Sequence, residues 1–365
     1  MCASEKPPAV GRFSTRHSLL AASACKLMAF GFGVALTSNV VTIPARRGLS
    51  LTLMSMNLIR RPGNSRQSLL PGCAASIGVF DGLHLGHQLI LSRLLDKAAA
   101  QSLPSLVFSF EPTPKEYFIA SAPPARLMRF REKFKALDAI GIDWFYCPRF
   151  EASLGSLEPD DFIEQLLVKL LRVRHLVVGD DFQFARERIG TTADLVSAGS
   201  RYGFTVEEIG SVVQDGVRVS STAVREALSI GDLDRARQLL GRHYQMSGRV
   251  VEGQKLGKTL GFPTANLKLN RKLSPVSGIF AVRVAGLGAD MRDGVASVGT
   301  RPTVGGKEVL LEVHIFDFDR DIYGHYMQVD FIAKLREEEH FPDLKSMQAQ
   351  MCVDAAQARE ILAAA

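Results

Sequence analysis

One short stretch limits most strongly what this chain can fold into, the run Ser76-Ile-Gly-Val-Phe-Asp-Gly-Leu-His-Leu-Gly-His-Gln88. An apolar run at residues 74–79 predicts a buried strand, and an amphipathic run at residues 88–100 predicts a helix. The glycines between them allow backbone N–H groups to approach a ligand closely. The start of the following helix adds unpaired donors and the positive end of a dipole. The stretch therefore predicts a phosphate-binding turn.

Two histidines, His84 and His87, lie in this turn. Imidazole rings donate hydrogen bonds to phosphate and can become charged against a triphosphate. The residue types alone fit equally well with an ordinary turn that carries a solvated histidine pair. The order of the whole motif, G-x-F-D-G-x-H-x-G-H between a strand and a helix, is what favours a nucleotide site.

Strands and helices alternate through the first half of the chain. We predict strands at residues 105–110, 144–147, 175–178 and 204–209, and helices at residues 126–139, 162–171 and 193–202. Short apolar runs that alternate with helices indicate a parallel sheet covered on both faces. Ligands of such sheets bind at the carboxyl ends of the strands. Residues 56–235 are therefore predicted to form a Rossmann-like α/β domain.

A polar segment, Arg218 to Arg225, follows the last predicted strand of this domain. The hydroxyl residues at 220–222 can cap the helix that begins there, and Arg225 lies one turn further on a similar face. Hydroxyl and guanidinium groups in this arrangement can hold a phosphate. A plain helix cap beside a surface arginine is the alternative, and the segment by itself leaves both open.

The composition changes after residue 243. Six β-type runs, punctuated by Gly, Pro and Asp, follow at residues 244–251, 265–269, 279–284, 295–298, 309–316 and 327–332. Closely spaced runs of this kind suggest a small antiparallel barrel, and residues 343–362 have the spacing of a helix. We therefore predict a second domain at residues 243–365, made of a barrel and a C-terminal helix.

The most informative stretch of this second domain is Gly253 to Asn266, which ends in G-F-P-T-A-N. Glycine-rich hairpin loops would explain its composition, and it is not a P-loop because Pro263 ends any helix. Further along, Glu312 lies in a run whose alternation allows either face. An outward glutamate paired with Lys or Arg, worth little to stability, therefore stays open.

Taken together, these motifs resemble a known family. The first domain has G-x-F-D-G-x-H-x-G-H, F-E-P-x-P at Phe110–Pro114, V-G-x-D-F-x-F at Val178–Phe184 and S-S-T-x-x-R at Ser220–Arg225. In this order they resemble the FMN adenylyltransferase module of bacterial bifunctional riboflavin kinase/FAD synthetases. G-F-P-T-A-N resembles the riboflavin kinase signature. The resemblance covers residues 56–362 and implies ATP-dependent phosphorylation of riboflavin to FMN, then adenylylation of FMN to FAD with release of pyrophosphate.

The resemblance also implies two sets of site residues. For the adenylyltransferase, His84 and His87 are the catalytic groups and the ATP-binding residues are Gly78, Phe80, Asp81, Gly82, His84, Gly86, His87, Gly179, Asp181, Arg218, Ser221, Thr222 and Arg225. For the kinase, Glu312 is the catalytic base and the ATP-binding residues are Gly253, Gly257, Lys258, Gly261, Pro263, Thr264 and Asn266, with Thr264 and Asn266 as ligands of Mg²⁺.

Two residues depart from the family pattern. Asp181 stands where some relatives have Asn, which changes a neutral hydrogen-bonding group to an anion. Ala185 replaces a glycine often found after the second Phe. We expect both changes to be tolerated, and they leave the role of Asp181 less defined.

Charge and cysteine content narrow the possible partners. The net charge is +6, but residues 1–55 hold six lysines and arginines against one glutamate, so the rest of the chain is nearly neutral. This balance argues against binding nucleic acid through phosphate neutralisation. Five scattered cysteines without C-x-x-C spacing predict free thiols in a reducing compartment and no zinc site. We expect a cytoplasmic enzyme with small-molecule substrates, no stable membrane insertion and at most weak self-association.

Residues 1–55 lack Asp and contain an apolar run at residues 27–43 that polar residues interrupt. A secretory signal or an organellar transit peptide would share some of these features. The run is short and interrupted for a membrane-spanning helix. We favour a disordered leader or an over-extended gene start, because Met56 begins a sequence that resembles a natural start.

Two other functions remain open at the level of sequence. A nucleotidyltransferase that acts on another phosphate would share only H-x-G-H, and G-F-P-T-A-N counts against it. A non-catalytic flavin-binding regulator is disfavoured by the presence of both histidines and Glu312. A hydride-transferring dehydrogenase is the wrong class because no G-x-G-x-x-G opens the first helix.

Overall fold

The computed structural model describes residues 56–61, 69–253, 256–303 and 306–365, without the side chains of 256, 258, 301–303 and 306–308. The predictions for residues 1–55 lie outside these described residues. Within the described part of the chain, no helix combines the length and apolar character needed to cross a membrane.

A six-stranded parallel sheet forms the first domain. Its strands are β1 (Asn57–Ile59), β2 (Cys73–Ile77), β3 (Ser105–Phe108), β4 (Trp144–Tyr146), β5 (Val173–Gly179) and β6 (Thr205–Ile209), in the order β1-β4-β3-β2-β5-β6. Every neighbouring pair is parallel. The predicted α/β class is confirmed, although the edge strand β1 was not among the predicted strands.

Helices cover both faces of this sheet. They are α1 (Leu85–Ala100), α2 (Pro114–Phe118), α3 (Phe130–Ile140), α4 (Ala152–Gly155), α5 (Pro159–Phe162), which continues as a π-helix over Ile163–Leu170, and α6 (Thr192–Tyr202). Adjacent residues of one strand point to opposite faces. Ala75 and Ile77 accordingly lie in one apolar core, and Ala74 lies in the other.

The strand order creates a switch point between β2 and β5. From β2 the chain adds β3 and β4 on one side, then crosses to add β5 and β6 on the other. Loops that leave two such strands diverge and open a crevice at their carboxyl ends, where ligands of doubly wound sheets bind. The loop after β2, which ends at His84, and the loop after β5 meet at this crevice, and His87 lies in the first turn of α1.

The second domain is a closed antiparallel barrel. Its strands are β9 (Tyr244–Val251), β10 (Ala265–Lys268), β11 (Gly278–Ala285), β12 (Arg292–Thr303), β13 (Gly306–Ile315) and β14 (Tyr326–Arg336), in the order β10-β13-β12-β11-β14-β9, closed by β9 and β10. A short helix, α9 (Leu256–Thr259), lies between β9 and β10, and α10 (Leu344–Ala364) ends the chain. The predicted barrel and final helix are confirmed.

A short hairpin, β7 (Val213–Gln214) and β8 (Val217–Arg218), and two helices, α7 (Ser221–Ser229) and α8 (Leu233–Leu240), connect the two domains. The buried residues of α7 and α8 belong to the same apolar core as the interior of the barrel. The connecting helices are thus part of the barrel's apolar core, while Ser221 at the start of α7 donates to the carbonyl oxygen of Asp81 in the first domain.

Candidate functional site

His84, at the end of the loop after β2, and His87, in the first turn of α1, lie against each other. Their rings stack with centroids 3.7 Å apart and planes 20° apart. His84 is the N-cap of α1, and its Nδ1 accepts a hydrogen bond from the backbone N–H of His87 (3.4 Å). Because Nδ1 accepts, neutral His84 carries its proton on Nε2. The pair therefore offers a hydrogen-bond donor at the start of a helix, where anions are favoured.

Burial keeps both histidines neutral near pH 7. It lowers the pKa of His84 to about 4, opposed by the carboxylates of Asp81 and Asp181 and aided by the cations of Arg218 and Arg225. Burial also lowers the pKa of His87 well below its usual value, and the neighbouring His84 and Lys133 lower it further. The pair therefore consists of neutral donors rather than fixed cations.

These low pKa values predict that acid destabilises the protein. A histidine of the unfolded chain takes up a proton near pH 6.5, whereas folded His84 does so near pH 4. Stability from this residue is complete above pH 6.5 and is lost as the pH falls toward 4, by roughly 3 kcal/mol at 1.36 kcal/mol per pKa unit. In His84→Asn, which can still cap the helix, the free energy of unfolding should change less between pH 7 and pH 4. Equal pH dependence in urea titrations of both proteins would contradict this expectation.

Asp81 fixes the shape of the loop. It is 5% exposed, and its carboxylate accepts the N–H groups of Leu127 (3.1 Å) and Met128 (2.8 Å). Arg225 donates to the same carboxylate (2.5 Å) and to the carbonyl oxygen of Ala125 (2.6 Å). The structure therefore brings Asp81 and Arg225 together, with contacts to protein that hold the loop in place.

The start of α7 closes the other side of the loop. Ser221 donates from Oγ to the carbonyl oxygen of Asp81 (2.8 Å), whereas Ser220 is the N-cap and accepts the N–H of Ala223 (3.1 Å). Thr222 is exposed in the same first turn. The N-termini of α1 and α7 thus lie against one loop.

The loop after β5 completes this crevice. Gly179 ends β5, and exposed Asp181 forms an ion pair with Arg218 (2.7 Å), which also faces Asp180 (3.5 Å). The carboxylate of Asp181 raises the pKa of His84 and the guanidinium of Arg218 lowers it. The side chain of Asp181 is therefore paired with a cation.

The remaining predicted residues of this loop build its backbone. Gly78 and Gly86 lie against the rings of Phe80 and His84, and Gly82 has φ +87° with the side chain of Leu127 where a Cβ would be (2.7 Å). Phe80 is 1% exposed and packs in the core. Phe80 therefore packs between the loop and the core and does not line the crevice.

An aromatic cluster that we did not predict lies at the end of β3. Its members are Phe110, Tyr117, Phe118 and Phe150, which contact one another edge to face at 5.2–5.6 Å. Phe118 is 65% exposed and Tyr117 39%, an unusual exposure for such large apolar rings. The F-E-P-x-P motif next to them was the only sequence signal for this surface.

The backbone conformation at position 185 favours glycine. Ala185 has φ 65° and ψ −165°, a conformation that is essentially restricted to glycine. Ala185→Gly should therefore stabilise the protein by about 1 kcal/mol, since relief of strain exceeds the added freedom of the unfolded chain. The control is Ala356→Gly, which lies exposed within α10 and should destabilise by about 1 kcal/mol. Chemical unfolding measures both, and a loss of stability in Ala185→Gly would contradict the strain argument.

The barrel places Glu312 on the face that sequence alternation left open. Glu312 lies opposite Asn266 of β10 and Ser297 of β12. Directly opposed residues of antiparallel strands point to the same face. Leu311 and Val313, on either side, are fully buried in the barrel interior. Glu312 therefore points away from the interior, on the same face as Asn266.

A cavity of about 230 Å³ lies on this face, between the barrel and α10. Polar side chains at its wall include Thr264, Ser297, Glu312, His314 and Glu338, and apolar ones include Phe262, Ile279, Val295, Met347 and Met351. Partial burial raises the pKa of Glu338. An apolar wall with a few polar groups is typical of a small-molecule site.

The loop before β10 packs tightly against this cavity. A Cβ at Gly253 would lie 2.3 Å from Nδ2 of Asn266, and one at Gly257 would lie 2.3 Å from the carbonyl oxygen of Phe262. Gly261 makes the turn with φ +81°, and the carbonyl oxygen of Pro263 lies 2.9 Å from Nδ1 of His314. The predicted kinase residues thus converge, except that the side chain of Lys258 lies outside the described residues.

Two family models match the two domains. The FAD synthetase model matches residues 66–223, and the riboflavin kinase model matches residues 240–362. The bifunctional riboflavin kinase/FMN adenylyltransferase of Escherichia coli (strain K12) is 46% identical over 305 residues, which cover 84% of this chain and 97% of that protein. The chain belongs to the bifunctional riboflavin kinase/FMN adenylyltransferase family.

Other relatives agree with this assignment. The bifunctional riboflavin kinase/FMN adenylyltransferase of Haemophilus influenzae is 45% identical, with coverage of 81% of this chain and 96% of that protein. A crystal structure described as a macrolide-efflux protein from Streptococcus pneumoniae is 29% identical, with a TM-score of 0.69 and coverage of 82% and 97%. We take from this last likeness the fold alone.

Membership of the bifunctional riboflavin kinase/FMN adenylyltransferase family defines the activities. The enzyme phosphorylates riboflavin to FMN and adenylylates FMN to FAD, and ATP, riboflavin and FMN are substrates of the family. The predicted family and both predicted activities are confirmed. The roles of individual residues remain predictions.

Proposed function

We propose that the two reactions take place at two separate sites of this chain. Adenylyl transfer takes place in the crevice between β2 and β5, and phosphorylation takes place in the cavity between the barrel and α10. The proposal rests on one observation: His84 lies at the crevice of the first domain, whereas Glu312 lies at the cavity beside the barrel. The test is to remove the groups of one site at a time and to measure both activities, each of which should depend on its own site alone.

At the crevice, His84 and His87 serve adenylyl transfer. A phosphate oxygen of FMN attacks the α-phosphorus of ATP, and the bond to the pyrophosphate oxygen breaks. The FMN phosphate is already an anion, so this step needs charge stabilisation more than a base. Neutral donors at the start of α1, with Arg218 near them, suit the developing charge on the departing pyrophosphate.

The aromatic cluster of Phe110, Tyr117, Phe118 and Phe150 is the proposed surface for the flavin ring of FMN. It lies at the end of β3, which is the sheet neighbour of β2. Planar aromatic ligands pack favourably on exposed aromatic rings. Its position next to the crevice would bring the FMN phosphate toward the histidines.

In the cavity, Glu312 serves as the general base of the kinase. Its carboxylate takes the proton of the ribityl 5′-hydroxyl, whose oxygen attacks the γ-phosphorus of ATP, and ADP leaves. The register opposite Asn266 and the shared cavity wall with Thr264 support this assignment. The apolar side chains of the cavity wall, among them Ile279 and Met351, suit the flavin ring of riboflavin.

Thr264 and Asn266 are the proposed protein ligands of Mg²⁺ in the kinase site. They offer hydroxyl and amide oxygens, the hard donors that this ion prefers, and Gly253 lets the backbone pack closely against the amide, where a Cβ would overlap it. Mg²⁺ bound with ATP supplies neutralisation of the triphosphate charge. The two residues would hold the ion beside Glu312, because Asn266 lies directly opposite it and Thr264 shares the wall of its cavity.

The cytoplasm is the proposed location of the enzyme. Cys73, Cys147 and Cys352, the cysteines within the described residues, are free thiols. Free thiols are usual in a reducing compartment.

A further inference from the structure

Two arginines from the second half of the chain are buried against the backbone of the first domain. Arg271, in the turn after β10, donates from Nη1 to the carbonyl oxygen of Arg126 (2.6 Å) and from Nη2 to the carboxylate of Glu132 (2.6 Å). Arg242, just before β9, donates from Nη2 to the carbonyl oxygen of Gly82 (2.8 Å). Arg271 is 6% exposed and Arg242 5%. Each guanidinium thus holds a backbone segment that belongs to the other domain.

The segment held by Arg271 is Arg126–Arg129, here called the strap. On its opposite side the strap donates the N–H groups of Leu127 and Met128 to the carboxylate of Asp81. Asp81 lies in the loop that carries His84. A shift of the strap would therefore move the loop and its histidine, and small displacements of reacting groups can cost a large factor in rate.

A second group of the barrel reinforces this contact. The carbonyl oxygen of Leu127 accepts the hydroxyl of Tyr244 (3.3 Å) and the guanidinium of Arg271 (3.5 Å). Tyr244 is 3% exposed and is the first residue of β9. The strap is thus held between the barrel on one side and Asp81 on the other.

The ion pair with Glu132 does not by itself account for the burial of Arg271. Glu132 also accepts the N–H groups of Arg129 (2.6 Å) and Ser247 (2.8 Å). Burying two charges removes both from water, and a buried pair is often no more stabilising than apolar residues of similar volume. Charge neutralisation of Glu132 and support of the strap are therefore two separable roles of one side chain.

We propose that Arg271, a residue of the kinase barrel, is a positioning residue for the adenylyltransferase site. It holds the strap, and through the strap Asp81 and the His84 loop, in the arrangement that receives ATP. The inference rests on the proposed role of His84 and His87 in adenylyl transfer. It makes the barrel a structural part of the site for the second reaction.

The test compares Arg271→Met with Glu132→Gln/Arg271→Met in the full-length protein. The single variant leaves a buried carboxylate without its cation and is expected to lose stability. The double variant removes both charges and is expected to stay folded, with kinase turnover within about twofold of wild type. Its kcat for FAD formation from FMN should fall roughly 10- to 100-fold, because the carbonyl oxygen of Arg126 has lost its donor.

Two further variants make the result specific. Arg271→Lys keeps a cation and one donor group, so FAD formation should recover in part. Arg249→Met removes an arginine that donates to the carbonyl oxygen of Gly324 (2.8 Å) within the barrel, and it should leave both activities unchanged.

Normal FAD formation in the double variant would overturn the inference and leave Arg271 as the charge partner of Glu132. An equal fall of both activities would also overturn it, because it would report a general loss of structure. The underlying assignment is checked separately with His84→Ala/His87→Ala. If that variant keeps adenylyl transfer, the proposed role of the histidines is wrong whatever Arg271 does.

Discussion

His84→Ala/His87→Ala should form FAD from FMN at least about 10²-fold more slowly than wild type, while forming FMN from riboflavin at a near-normal rate. The size of the loss follows from removal of preorganised donors to the transition state. In the folded protein the two rings stack at the N-terminus of α1. Separate assays with FMN plus ATP and with riboflavin plus ATP measure the two rates.

Controls separate this effect from a loss of folding. His84→Asn/His87→Asn keeps a helix-capping residue at position 84 and should show a similar loss of FAD formation. His325→Ala removes an exposed histidine of the barrel and should change neither activity. If the double alanine variant still formed FAD at the wild-type rate, the crevice between β2 and β5 could not be the adenylyltransferase site as proposed.

Glu312→Gln should lower riboflavin kinase turnover by about 10²-fold or more, because a positioned general base contributes ~10²–10⁴-fold. The change keeps the volume and removes the charge and basicity. Riboflavin affinity should change little, since the lost interaction develops mainly in the transition state. The melting temperature and the conversion of FMN to FAD should stay near wild type. Initial rates with riboflavin or FMN, with a thermal melt, measure these quantities.

Two comparisons make this second result decisive. Glu360→Gln changes an exposed carboxylate of α10 and should leave the kinase unaffected. A mixture of Glu312→Gln with His84→Ala/His87→Ala should form FAD from riboflavin, although neither protein does so well alone. Near-normal kinase turnover in Glu312→Gln would instead assign this glutamate a structural role, and loss of both activities with a lower melting temperature would show that it supports the fold.

Much of the fold could be predicted from local sequence because its strands are short apolar runs bounded by Gly, Pro and Asp. The strand predicted at residues 244–251 has the same first and last residues as β9. Edge strand β1 could not be predicted in this way, because only Ile59 of its three residues is partly buried. The π-helical turns of Ile163–Leu170 also leave no sequence signal, since their apolar spacing fits an ordinary helix.

The site was predictable where a motif lies within one loop, and less so where its parts come from different strands. The alternation of polar and apolar residues could not show which face of the barrel Glu312 lies on. That face depends on pairing with Asn266, which is far away in the chain. Arg242 and Arg271 were missed for a related reason. From sequence alone, an arginine in a polar loop is predicted to be exposed, because its partners on another domain are not yet known.

The shared core of α7, α8 and the barrel has a consequence for how this enzyme can be divided. Helix α7, which carries Ser221 and Arg225, packs against α8, and α8 contacts strands β9 and β14 of the barrel, so all of them share one apolar core. A cut between the two catalytic halves would therefore expose part of a continuous interior to water. Either half, made as a separate polypeptide, would need a new polar face or a covering partner. The joining of the two activities in one chain is thus a matter of packing as well as of chemistry.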